Sequence, residues 1–362
     1  MNLYNKYRPK QFDDVAQPHV TRVLKAQFEQ DNTRSTYLLS GPPGTGKTTL
    51  ARIMAMRWLC TTAEAGSAVI DPECDSCQQV ISNNHRDVIE ENCSDKTSVD
   101  DVRSIIQSQV RVVPMGAYRV FILDECHMFS KSAQDALLKI LEETPSHVKF
   151  VLCTTDPQKL RPAVRSRCQH HALRPVSEGD VQRIVKNVCN LEGIECTEDG
   201  LDMIVEYAQG GLRDALQLVE HVQPIGGVTA DNVSLVLGRT SSAMARDFLL
   251  AVQKPNRREA LAIMESARQA GVQPNVLFED SVRLLARMVR TRLFNKAGSD
   301  NDPIIKPLID AFPDAGVVAQ LGTSLARTAA KLKDSPVSNA AAILAAMAAM
   351  ENMQKAHAQK KA

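Results

Sequence analysis

One segment constrains this chain more than any other. Gly41-Pro42-Pro43-Gly44-Thr45-Gly46-Lys47-Thr48 fits G-x-x-x-x-G-K-[ST], after the apolar run Tyr37-Leu38-Leu39-Ser40 and before a helical pattern from Lys47 to Leu59. A strand, a glycine loop and a helix in that order turn successive backbone N–H groups towards phosphate oxygens. The positive end of the helix dipole stands behind them. Lys47 supplies a point charge for β- and γ-phosphates, the Thr48 hydroxyl is a candidate magnesium ligand, and Thr49 lies in the same first turn. The competing reading is a chance glycine turn, which the flanking strand and helix argue against.

A second motif completes a nucleotide site. Val120-Phe121-Ile122-Leu123-Asp124-Glu125 is an apolar strand ending in two carboxylates, which brings them to the same sheet edge as the glycine loop. Asp124 is then placed to hold Mg²⁺ through water and Glu125 to polarise the attacking water, so the pair implies ATP hydrolysis. The alternative is a strand that ends in a solvated turn. Asp124-Glu125-Cys126-His127 also looks like the D-E-x-H box of superfamily 2 helicases, but no glycine- and arginine-rich final helicase motif follows. His127 reads as a hydrogen-bonding or packing residue rather than a catalytic one.

Around these motifs the first half alternates strand-like and helical segments. Tyr118–Leu123 and Val148–Cys153 are continuous apolar runs, Asp87–Glu91 is a weaker one, and helical patterns cover Lys47–Leu59, Val99–Val110 and Ser130–Glu143. This predicts an α/β fold with a parallel sheet covered by helices on both faces. After about Pro175 the strand signal ends. Ser177–Leu191, with Ser177 as N-cap and Asp180 at the third helical position, Glu198–Ala208, Leu212–His221 and Thr229–Leu237 make a small helical domain. From about Ser241 only helical periodicity remains. Val276–Phe294 and Val337–Lys355 are its longest pieces, the latter with a stripe of Ile343, Met347 and Met350, and the basic tail from Lys355 looks frayed.

Three domains are therefore expected: 1–175 with an insertion at about 60–80, then 176–240, then 241–362. Aromatic content of 4% suits helix-rich packing, and 43 basic against 42 acidic residues confine any nucleic-acid contact to a local patch. The N-terminus has no signal-like apolar region, no stretch is long enough to span a bilayer, and nine scattered cysteines suit reduced thiols. A cytoplasmic, membrane-free protein is expected.

Further segments carry a family resemblance. They are Tyr4-Asn5-Lys6-Tyr7-Arg8-Pro9, Phe12-Asp13-Asp14-Val15, Asn92 to Thr97, Leu137 to Pro145, Thr154 to Leu160, Ser166-Arg167-Cys168 and Gly211 to Leu216. In order and spacing the chain resembles the AAA+ sliding-clamp loader ATPases, most of all the gamma/tau type of bacterial DNA polymerase III. The likeness is strong to about residue 225 and rests on helical character and length alone beyond Ser241. It implies an AAA+ P-loop NTPase domain, a helical lid and an all-helical collar that joins five subunits. It further implies an ATP-driven motor that opens a sliding clamp and loads it on primer–template DNA.

Residue by residue, the resemblance makes Arg167 an arginine finger acting in trans. Thr155 becomes the polar sensor after the fourth strand, and Arg213 the lid sensor at the γ-phosphate. Tyr7, Arg8, Pro9 and Val15 match the segment that covers adenine and ribose. Lys96 and Thr97 match a DNA-backbone contact that Ser94 caps nearby. Taken alone, Arg167 and Arg213 read as surface ion-pair residues and Lys96 and Thr97 as a solvated helix start. Gamma/tau-type chains also insert a four-cysteine zinc module after the first helix. Cys60, Cys74 and Cys77 occupy three of its places here, and Asp71 stands at the other. Three readings stay open: zinc on Cys60, Asp71, Cys74 and Cys77; zinc with another fourth ligand such as His85; or a metal-free loop. Two other functions compete, a helicase or branch-migration ATPase and a non-catalytic loader scaffold. The helical final third argues against the first, and the intact Lys47, Thr48, Asp124 and Glu125 against the second. Tau-type chains are longer, so a gamma-like short form, a truncated chain and a viral homologue all fit.

Overall fold

The computed structural model describes residues 2–64, 66–94, 98–238, 242–253, 257–294 and 304–333. The chain packs as two compact units, Met1–Gly193 with Ile204–Glu220, and Ile194–Met203 with His221–Ala362.

The first unit is built on five parallel strands: β1 (Thr36–Ser40), β2 (Val88–Asn92), β3 (Arg119–Asp124), β4 (Val148–Thr154) and β5 (Gln169–Ala172). Their spatial order is β2-β3-β4-β1-β5. β1 and β4 are buried along their whole length and β3 up to Asp124, which is why these three read as unbroken apolar runs. Pairing of Ser40 with Thr154 and of Asn92 with Asp124 aligns the carboxyl ends of the strands on one edge. Ligands of open α/β sheets bind outside that edge.

The sequence does not announce β5, because Gln169-His170-His171-Ala172 is polar. It is an edge strand with alternate residues half-buried. His170 Nε2 sits 2.7 Å from Ser40 Oγ, and His171 stacks on Tyr37 with ring centroids 6.1 Å apart. The helix Pro18–Glu29 also goes unanticipated. Its apolar face of Val20, Leu24 and Phe28 packs Phe28 against Trp58 of Lys47–Leu59. That latter helix is buried nearly all round, from Leu50 to Trp58, so it shows no stripe at all.

Where a single helix is expected over Val99–Val110, the chain forms an α-turn (Val99–Val102), a π-helical stretch (Arg103–Gln107) and a further turn (Ser108–Val110). The buried residues Val102, Ile106 and Val110 recur every four positions. An α-helix advances such a set about 40° per step, and the wider π-turn holds it on one face. Asp87, before β2, is fully buried. Its Oδ1 takes Arg119 at 3.0 Å and its Oδ2 the N–H groups of Met115 and Gly116, both at 2.9 Å. Burial alone would raise its pKa; the Gly116 N–H, the Arg119 guanidinium and the Met115 N–H outweigh it and hold the carboxyl below its ordinary value.

Helix capping is legible where side chains do it. Ser177 accepts from the Asp180 N–H at 3.2 Å, Ser130 from the Ala133 N–H at 3.2 Å, and Thr229 from the Asn232 N–H at 3.3 Å. From Thr229 onward the described elements of the second unit are helices: Ala230–Val236, Ser242–Gln253, Arg257–Gln269, Pro274–Phe294, Lys306–Ala311 and Ala315–Lys333. Phe248, Phe278, Met288, Leu308, Phe312 and Leu325 are the buried centre of their core. The stripe expected at Val337–Lys355 lies outside the described residues. Among the described residues, no helix is long and apolar enough to cross a membrane.

Candidate nucleotide site and thiol cluster

The glycine loop leaves β1 with Gly41 (φ 150°), Gly44 (φ 72°) and Gly46 (φ 97°) all in the region that side chains avoid. Space excludes a side chain too. A Cβ on Gly41 would lie 2.5 Å from the Leu173 carbonyl oxygen, and one on Gly44 3.0 Å from Gly211 Cα. Lys47 is buried, its Nζ donating to the carbonyls of Gly41 at 2.9 Å and Pro42 at 3.0 Å. The ammonium thus stands inside the loop and holds its curve. Thr45 Oγ1 adds a bond to the Pro42 carbonyl at 2.8 Å. Gln17, which the sequence gives no reason to single out, is buried beneath the loop. Its Nε2 donates to the Arg174 carbonyl at 2.6 Å, and its Oε1 accepts the Arg174 N–H at 3.1 Å.

The strand ends complete the polar side. Thr48 Oγ1 donates to Asp124 Oδ2 at 2.7 Å, while Asp124 Oδ1 accepts the Glu125 N–H at 3.0 Å. A hydroxyl and a carboxylate in contact are the hard oxygen donors that a magnesium ion takes, so these residues fit it. Glu125 is one of four described non-glycine residues with positive φ, at 49°, and that turn swings its carboxylate towards the end of β4. There Glu125 Oε2 accepts from Thr155 Oγ1 at 2.8 Å and from the Thr155 N–H at 3.2 Å, and lies 3.3 Å from His127 Nδ1.

Beside the loop a cavity of about 330 Å³ is lined by Tyr7, Arg8, Pro9, Val15, Gly44, Thr45, Gly46 and Thr49, together with Tyr4, Leu212 and Leu216. The Leu212 N–H donates to the Gly44 carbonyl at 3.1 Å, tying the helix that carries Arg213 to the loop. Arg8 Nε donates to Thr49 Oγ1 at 3.0 Å. Burial, and then the nearby Arg52, push the Arg8 pKa below its ordinary value against the opposing pull of Tyr4, Glu90 and Asp124. Tyr4, not among the expected site residues, carries the Arg8 guanidinium 5.8 Å and the Arg213 guanidinium 5.6 Å from its ring centre. Tyr7 donates its hydroxyl to Glu192.

Arg167 stands apart from these groups, ending the helix Pro162–Arg167. It is more than half exposed and pairs with Glu142 at 3.0 Å. Ser94 is exposed, its N–H donating to Asn92 Oδ1 at 3.0 Å; Lys96 and Thr97 lie outside the described residues.

At the other end of Lys47–Leu59, Cys60 is the C-cap, and Cys74 caps the short helix Asp75–Ile81 that carries Cys77. The three sulfurs lie within 4.8 Å of one another, with Cys60 and Cys74 at 3.7 Å. Burial raises the Cys60 pKa, but hydrogen bonds from Thr62, the Asp71 N–H and Cys74 outweigh it and bring it to about 7. Burial and its two sulfur neighbours push Cys77 far up. Soft thiols this close suit a thiophilic cation, whose charge would offset their mutual repulsion.

Neither residue considered as a fourth ligand joins the group. The Asp71 carboxylate takes the Thr62 hydroxyl at 3.1 Å and the Glu73 N–H at 3.0 Å. Both ring nitrogens of His85 are engaged, Nε2 with Ser76 Oγ and Nδ1 with the Asp87 N–H, at 3.1 Å each.

A family model described as "DNA polymerase III, delta subunit" matches residues 16–177. The chain is 32% identical to DNA polymerase III subunit tau of Escherichia coli K12, over 83% of this chain and 47% of that protein. It is 33% identical to the tau subunit of Bacillus subtilis 168, over 77% and 50%. It is 30% identical to DNA polymerase III subunit gamma of Buchnera aphidicola subsp. Schizaphis graminum, over 81% of each chain. The chain thus spans about half the length of the tau relatives and most of the gamma relative. A solved Thermotoga maritima RuvB Holliday junction branch migration motor aligns at a TM-score of 0.48 and 21% identity, over 68% of this chain and 79% of its own; the strand order, not this likeness, defines the fold. With its parallel sheet in the order β2-β3-β4-β1-β5, its glycine loop and a gamma relative 30% identical over 81% of each chain, the chain belongs to the gamma/tau family of DNA polymerase III subunits.

Proposed function

We propose that the chain is an ATP-hydrolysing motor subunit of a sliding-clamp loader. The observation that carries this reading is the continuous chain of contacts Thr48–Asp124–Glu125–Thr155 at the carboxyl edge of the sheet, next to the Lys47 loop. ATP takes the cavity with its base near Tyr7, Pro9 and Val15 and its phosphates on the loop N–H groups and Lys47. Mg²⁺, held by Thr48 and Asp124, would neutralise charge on the β- and γ-phosphates. Glu125 accepts the proton of the attacking water, Thr155 orients that carboxylate, and Arg213 reaches the γ-phosphate from the lid.

An exposed Arg167 suits a finger directed at a neighbouring subunit's nucleotide, as a pentameric assembly with other loader subunits requires. Ser94, Lys96 and Thr97 are the proposed contacts to the primer–template backbone. Zn²⁺ on Cys60, Cys74 and Cys77 acts as a structural staple. Native mass spectrometry of the chain with cognate loader subunits, sliding clamp and an ATP analogue tests the reading. Nucleotide-dependent assembly that captures the clamp is expected. ATP turnover by the isolated chain with no assembly and no response to clamp or DNA would overturn it.

A further inference from the structure

Glu125 does not present its two oxygens equally. All of its recorded side-chain partners converge on Oε2: Thr155 Oγ1, the Thr155 N–H and His127 Nδ1. An ionised carboxylate only accepts, so a ring nitrogen 3.3 Å away is attractive only if it carries a proton. We therefore place a proton on Nδ1 of His127. Thr154 Oγ1, 3.0 Å from the same nitrogen, is then the hydrogen-bond acceptor for that proton, and it also accepts the Asp156 N–H at 3.1 Å. The imidazole is nearly buried, at 9% exposed, and the 3-10 turn Cys126–Met128 that carries it directly follows Glu125. It is thus anchored at the end of β4 and aimed at the carboxylate of β3.

We propose that His127 is a positioning residue for ATP hydrolysis. Together with Thr155 it fixes Oε2, leaving Oε1 as the oxygen that takes the proton from the attacking water. The inference rests on the role given to Glu125 above. In the step itself, the water oxygen bonds to the γ-phosphorus as the bond to the β,γ-bridging oxygen breaks. The water proton moves to Oε1 and later leaves as phosphate departs, so the carboxylate is restored. His127 keeps its proton throughout and touches neither water nor phosphate. A carboxylate loaded on one oxygen cannot rotate without losing two hydrogen bonds from Thr155 and the close contact with His127, and pre-orientation of this kind acts on the rate rather than on nucleotide binding.

Two replacements separate positioning from packing. The Nδ2 of an asparagine falls where Nδ1 stands, whereas leucine fills the space without a donor. In the assembled complex, His127→Leu should lower kcat about tenfold to a hundredfold with ATP affinity within about twofold of wild type. His127→Asn should restore most of the rate, and thermal unfolding should show both variants folded. Glu125→Gln, assayed alongside, separates the two ideas. If it is inactive while His127→Leu turns over normally, the positioning role falls and the base assignment stands. If Glu125→Gln turns over normally, the base assignment itself falls. Asparagine and leucine variants that are equally slow yet equally folded would also overturn the proposal, since only the hydrogen-bond donor distinguishes them.

Discussion

One helix, Lys47–Leu59, carries a candidate site at each end, and the two ends were not equally readable. At its N-terminus Thr48, Asp124, Glu125 and Thr155 form one hydrogen-bonded chain, and Lys47 donates to the loop carbonyls beside it. About 20 Å away, at its C-terminus, three thiols converge while Asp71 turns to Thr62 and Glu73. The difference lies in what places each residue. Asp124 ends a buried strand, and Thr155 directly follows another, so sheet register fixes both. Asp71 sits in a loop, where its own short-range hydrogen bonds decide its direction. A family position on a loop therefore predicts a ligand less well than one on a strand end.

Four measurements stress that contrast, taken from the largest effect down. Arg167→Ala should reduce clamp- and DNA-stimulated turnover about a thousandfold while each subunit still binds ATP, the usual scale for an arginine finger. Mixing it with a Lys47 variant should recover some activity when the two defects segregate to different interfaces. Mixed assemblies no better than either parent would count against action in trans. Lys47→Ala should weaken ATP binding about a hundredfold by equilibrium titration, because it removes both a phosphate charge and two loop hydrogen bonds; unchanged affinity would detach Lys47 from the phosphates. At the other end of the helix, elemental analysis should find one zinc per chain, dropping about tenfold in Cys74→Ser or Cys77→Ser. Asp71→Ala should change zinc retention against chelator less than about threefold, since its carboxylate is already engaged. Metal lost with Asp71 but kept without Cys74 would reverse the comparison.

The same physical reasons account for what the sequence showed of the fold. β1, β3 and β4 are covered on both faces and appear as apolar runs. β5 is an edge strand whose histidines make specific polar and stacking contacts, and nothing in Gln169–Ala172 signals a strand without its neighbours. The helical pattern over Val99–Val110 was visible, but the π-turn that accommodates the four-residue spacing of Val102, Ile106 and Val110 is a tertiary adjustment. Gln17, Tyr4 and His127 act through partners up to 209 positions away or through a ring proton, and no local pattern reveals such roles.

The central claim, that this chain hydrolyses ATP with Glu125 as the base, is tested most directly by measuring binding and phosphate release on one preparation of Glu125→Gln. The amide keeps the size of the side chain and removes only its proton-accepting charge. Nucleotide affinity should stay within about threefold of wild type while single-turnover hydrolysis falls at least about a hundredfold. Hydrolysis at the wild-type rate by that folded, ATP-binding variant would contradict it.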